Sequence, residues 1–197
     1  MFFRTLFLGA ISAIITSFFV KTDSYTEYLQ PINYFQLLGI VLFIIGLGLV
    51  FSLISQMGFF AYLTINQFGL GMFRGFWTPI QLLLIVVALF DLVYFRHRAA
   101  DVEHSIVGYL LVAVALFVYS WIVAGIKAKQ TNNKAFVPAL FFMVVVTSIE
   151  WVPGLRTDGN DYVWMMIICL LVCNTYQLLL LHRITEKRPV TNEDAKK

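Results

Sequence analysis

The chain has 197 residues, of which 60% are apolar and 13% charged, 19 of them Phe, with a formal net charge of +3. A soluble domain carries about a quarter charged residues, so polar surface is too scarce here to cover a globule in water, and most of the chain must be solvated by lipid. The small positive balance, with no basic cluster interleaved with aromatics, excludes a nucleic-acid partner.

Hydrocarbon about 30 Å thick is crossed by about 20 apolar residues of helix. The apolar runs do not alternate as barrel strands would, and backbone groups in lipid must bond within their own segment. The sequence therefore predicts an all-α integral membrane protein, a bundle of about six transmembrane helices over residues 1–182 with a cytoplasmic basic tail at 183–197. The spans are placed at 2–20, 35–62, 79–95, 105–126, 136–151 and 162–181.

The first run follows Arg4 and ends at Val20 and Lys21 without a small-residue cleavage site, so it reads as an uncleaved helix. Gly9, Ala13 and Ser17 recur every four residues and give it one smooth face for close helix approach. A polar loop containing Pro31 follows.

No charge occurs in the 46 residues from Tyr28 to Phe73, more than one crossing can use. One long helix over 35–62 is expected, with Gly46, Gly48 and Gly58 as kink or packing points. Residues 64–77 mix Asn66, Gln67 and Arg74 with Phe68, Met72, Phe73, Phe76 and Trp77, which reads as an interfacial segment. Two short spans in this region are the alternative. Gly69, Gly71 and Gly75 lack the spacing and the preceding strand of a nucleotide loop, and suit a bend or close backbone approach.

Pro79 and Pro138 lie near the starts of the third and fifth spans, where a missing N–H costs least. Pro153 and Gly154 close the fifth. Placing both termini in the cytoplasm puts ten Lys and Arg residues inside and four outside, which satisfies the positive-inside rule.

Asp91 and Glu150 are the carboxylates inside apolar runs, about 18 Å and 21 Å along their helices. Both fall toward the outer side in this topology and are expected to face the bundle, with Arg96, His97, Arg98 and Arg156 as candidate partners. A structural ion pair is weighed ahead of a ligand or ion site, because side chains near helix ends reach the headgroups. Asn174, Gln177, Gln56 and Gln81 read as amides that bond across helices.

Cys169 and Cys173 lie four apart in an apolar run, which excludes a disulfide framework. With no His on their face, packing is favoured over metal or redox work. No P-loop, His-Glu-x-x-His or Gly-x-Ser-x-Gly occurs, and His97, His104 and His182 lie outside the spans. No catalytic residue, metal or cofactor is therefore assigned.

Two stretches carry a family resemblance. One is Ser-Leu-Ile-Ser-Gln-Met-Gly-Phe-Phe-Ala-Tyr-Leu-Thr from Ser52 to Thr64, continuing to Phe68-Gly-Leu-Gly71; the other is Leu-Phe-Asp-Leu-Val-Tyr-Phe-Arg from Leu89 to Arg96. They resemble the KinB-signalling pathway activation proteins of sporulating Bacillus and relatives, and the layout is similar along nearly the whole chain. The resemblance implies a non-enzymatic membrane regulator, surrounded by membrane lipids, that acts on a membrane sensor histidine kinase. Gln56, Asn66 and Arg74, with the adjoining aromatics, are the candidate partner-contact surface. The competing expectation is a small transporter or ligand sensor built around Asp91 and Glu150.

Overall fold

The computed structural model describes residues 2–20, 34–99, 106–152 and 160–185. The polar loop after the first span, His104, Arg156, Pro153, Gly154 and the tail from 186 onward lie outside the described residues, as do the side chains of Arg96, His97, Arg98 and His182.

The described residues are helical, with no strand among them. The helices are α1 (Phe2–Val20), α2 (Tyr34–Phe73), α3 (Trp77–Ala99), α4 (Ile106–Gln130), α5 (136–151) and α6 (Asn160–Thr185). Among the described residues, five stretches are long and apolar enough to cross a membrane: Phe2–Val20, Tyr34–Tyr94, Ile106–Gln130, Asn133–Trp151 and Tyr162–Leu181. The second of these contains α2 and most of α3.

α2 runs 40 residues without a break, so the helix takes in residues 64–73 of the segment expected to be separate at 64–77. Polar and aromatic residues do not by themselves stop a helix, and no proline lies between Tyr34 and Phe73. The break comes at the single 3-10 turn Arg74–Phe76, where Arg74 adopts φ +43°. Across it, Asn66 Oδ1 accepts from Trp77 Nε1 at 2.9 Å and from Gln81 Nε2 at 3.1 Å. Gly69 lies against the Trp77 ring, where a Cβ would collide.

α1 buries Thr5, Gly9, Ser12, Ala13, Thr16 and Ser17, the small-residue face read from the sequence. That face packs on α2 at Gly48: a Cβ on Gly9 would come 2.7 Å from Gly48 O, and one on Gly48 would come 2.6 Å from Gly9 O. Missing side chains let two backbones approach, which is how helices associate where no hydrophobic force separates protein from lipid. Gly46, by contrast, has open space around it.

α5 is the central helix. Leu140, Phe141, Phe142, Met143 and Val144 are all buried, as expected for a helix that is apolar on every side. Phe142 packs edge-on against Phe59 with centroids 5.5 Å apart, and its ring lies 4.9 Å from that of Tyr62. Ile85 of α3, Val123 of α4 and Leu178 of α6 complete this core. A second core joins Leu92, Leu116, Trp151, Met166 and Leu170.

Within α5, the α-helical turns Phe136–Phe141 and Thr147–Trp151 flank a π-helical turn, Phe142–Val146. A π turn inserts one residue into the helical ladder and rotates everything beyond it. The residues rotated here are Thr147, Ser148 and Glu150.

Candidate functional site: a buried polar cluster around Glu150

Beyond the π turn, α5 directs Thr147, Ser148 and Glu150 into the bundle, and all three are buried. α2 contributes Ser52, Ser55 and Gln56, one turn of small and polar residues. α6 contributes Cys173, Asn174 and Gln177, the last one helical turn beyond the first two, and all three are buried.

Asn174 is the hub. Its Nδ2 donates to Glu150 Oε2 at 2.6 Å and to Thr147 Oγ1 at 2.9 Å, while its Oδ1 accepts from Ser55 Oγ at 2.6 Å. Gln177 Nε2 donates to the same Ser55 hydroxyl. Three helices are thus tied by one connected set of side-chain bonds. Beside this set, Ser52 Oγ ties α2 to α1 by donating to Thr5 O at 2.6 Å, and it lies 3.7 Å from Cys173 Sγ. Cys169 Sγ reaches Gly9 O at 3.9 Å, a weak thiol contact that fits a packing role.

Glu150 is only 6% exposed, and its Oε1 has no hydrogen-bond partner among the described residues. The carboxyl group fits because position 58 is glycine: a Cβ there would collide with Glu150 Oε1. Gln56 Nε2 and Ser148 Oγ are also buried without a partner among the described residues. Buried polar groups are costly unless bonded, so the cluster combines a satisfied half centred on Asn174 with an unsatisfied half at the Glu150–Gly58 contact.

The structure separates residues that the sequence grouped. Asp91 is exposed on the flank of α3, next to the buried Leu92, and does not join Glu150. The reason is phase. The core-facing positions of α3 are Gln81, Ile85 and Leu92, and Asp91 lies one residue off that stripe.

The three residues read as a contact surface are also dispersed. Gln56 is buried, the carbonyl of Asn66 is occupied by Trp77 and Gln81, and only Arg74 is exposed, at the turn beside the exposed Met72, Phe73 and Phe76. Of the amides read as interhelical, Asn174 and Gln177 bond to side chains of neighbouring helices, whereas Gln56 Nε2 has no partner among the described residues. Gly58, read as a kink or packing point, is where the Glu150 carboxyl packs; the contributions of Ser52, Ser55 and Thr147 were not visible in the sequence, because serine and threonine are ordinary in apolar helices. The π turn that aims Glu150 inward has no compositional mark.

The chain matches the family model for KinB-signalling pathway activation in sporulation over residues 9–184. It is 38% identical over 189 residues to the KinB-signaling pathway activation protein of Bacillus subtilis (strain 168), an alignment covering 94% of this chain and 96% of the relative. No solved structure matches it.

Proposed function

From the premise that this chain belongs to the KinB-signalling pathway activation family, we propose that it is a non-enzymatic, multi-pass membrane regulator that activates a sporulation sensor histidine kinase pathway. The observation that carries this reading is the similarity along nearly the whole chain to a relative named for that pathway. The geometry is consistent with contact through helix flanks. Phe3, Phe19, Phe35 and Phe68 are exposed, so the described surface offers apolar helix to lipid or to another helix. Activation then requires these flanks, or the Arg74 turn, to bind one state of the kinase better than the other.

In this reading Tyr34–Tyr94 crosses the bilayer twice, reversing at Arg74–Phe76, for six crossings with both termini in the cytoplasm. Two observations support it. Trp77, just after the turn, packs 6.3 Å from Phe141, and Tyr62, before it, packs 6.3 Å from the same ring. The turn thus lies at the end of the bundle that also holds Lys127, Lys129 and Lys134, as the positive-inside rule favours.

The test is a deletion strain combined with crosslinking in membranes. Loss of phosphorelay output from one sensor kinase, and capture of that kinase by the tagged full-length chain, are expected. Normal output in the deletion strain would reject the assignment.

A second reading, a ligand or ion sensor, is favoured by one observation: the buried Glu150 carboxyl with an unpartnered oxygen. It centres on Glu150 and excludes Asp91. Glu150→Gln should then abolish signalling at normal protein level while Asp91→Asn leaves it intact. Equal signalling by both variants would eliminate this reading.

A further inference from the structure

A second polar feature lies away from the Glu150 cluster, at the end of the bundle where α4 turns into α5. Lys127 is 5% exposed, and its one described hydrogen bond runs from Nζ to Leu178 O at 2.8 Å. An ammonium carries three N–H donors, so two remain. No carboxylate pairs with it among the described residues. A buried cation is ordinarily matched by an anion.

Beside Lys127 is an open-sided cavity of about 300 Å³. Tyr62 from α2 and Thr131 at the end of α4, the two hydroxyl-bearing residues of its lining, face Pro138, Ala139 and Leu181 across it. Lys129 in the last turn of α4 and Lys134 in the α4–α5 connection are exposed and make this end basic. The chemistry is that of a phosphoryl group held by one ammonium and hydroxyl donors, on a molecule whose remainder is apolar.

We propose that this cavity is a phosphoryl-binding site occupied by the headgroup of an anionic membrane lipid, with Lys127 as its cation and Tyr62 and Thr131 as its hydroxyl donors. The site lies four residues beyond Val123 in the bundle core, beside the turn 131–135; in the membrane reading this is the depth at which a headgroup meets its chains. A lipid seated there bridges α2, α4, α5 and α6. The inference rests on the membrane reading above and is independent of the kinase assignment.

The experiment uses the full-length chain purified in detergent, incubated with phosphatidylglycerol or phosphatidylcholine and weighed intact by native mass spectrometry. Wild type should retain phosphatidylglycerol in preference to phosphatidylcholine. Lys127→Met should lower that retention about fivefold, the effect of one lysine at an anionic surface, while Lys129→Ala, on the exposed side, should lower it less. Ala135→Phe, which fills the cavity wall and leaves the lysine intact, should lower retention as Lys127→Met does, and it carries the test alone if Lys127→Met does not fold.

Displacement of the lipid by excess inorganic phosphate would reassign the site to a soluble phosphate and overturn the lipid as occupant. Equal retention by wild type and Ala135→Phe would overturn the site while leaving the membrane reading intact. Recovery of the chain in detergent-free buffer would instead overturn the membrane reading and the lipid site with it.

Discussion

A methyl group at position 58 would occupy the volume that Glu150 Oε1 fills. Gly58→Ala must therefore move the carboxyl, and with it Asn174, which donates to the other oxygen. Overpacking a tight site costs about 1–3 kcal/mol, so a lower midpoint in detergent unfolding is expected. An unchanged midpoint would mean that the carboxyl has room to move. Glu150 and Asp91 look alike in sequence, since both sit among apolar neighbours, and they differ only in which side of the helix they occupy. Arg74 makes a separate case. A non-glycine residue in the left-handed region is strained by about 1–2 kcal/mol, so Arg74→Gly should raise stability by about that amount. If the arginine is part of the contact with a kinase, the same variant should lower sporulation signalling although the protein is more stable. Such opposite movements in a thermal melt and a reporter assay would distinguish a functional charge from a structural turn.

The contact between α1 and α2 depends on small residues facing each other rather than on apolar surface. Gly9→Ala brings a methyl group within 2.7 Å of Gly48 O and of the Ser52 side chain. The helices must separate, and Ser52 Oγ loses its bond to Thr5 O. Destabilisation of about 1–3 kcal/mol is expected. Gly46→Ala, two residues from Gly48 and in open space, should be neutral or gain up to about 1 kcal/mol, because alanine is the better helix former. Opposite signs for the two variants, measured by unfolding in one detergent, would verify the packing face; the same sign would contradict it. The four-residue spacing of Gly9, Ala13 and Ser17 made this face legible in α1, because an α-helix stacks such residues on one side. α2 hid its half of the contact, since Gly46 and Gly48 are equally plausible until a partner is present to select one.

For the whole molecule, the proposed membrane reading turns on how many times the chain would cross a bilayer. The bonds from Trp77 and Gln81 back to Asn66 draw together the segments on either side of the Arg74 turn. Tags inserted after residue 75 and after residue 132 should then be labelled from the same side of the membrane, and both from the cytoplasm. Labelling from opposite sides would require Tyr34–Tyr94 to cross once and would reverse the orientation of every helix after it. The native Cys169 and Cys173 are both free and fully buried, so they will not confuse a cysteine-labelling version of this measurement.

Hydrophobicity is additive along a chain, and for that reason the sequence alone determined that this protein is a set of apolar helices, where most of them lie, and to which family the chain belongs. The basic residues at one set of connections likewise gave an orientation to test. Convergence between helices is not additive, because it depends on the rotation of each helix about its own axis. A single inserted residue in the π turn of α5 sets that rotation for Glu150. Only the tertiary structure decided that Glu150 points inward to Asn174 and that Asp91 points away. It alone showed that Gly58 makes room for a carboxyl group, and that Lys127 meets Tyr62 across a cavity.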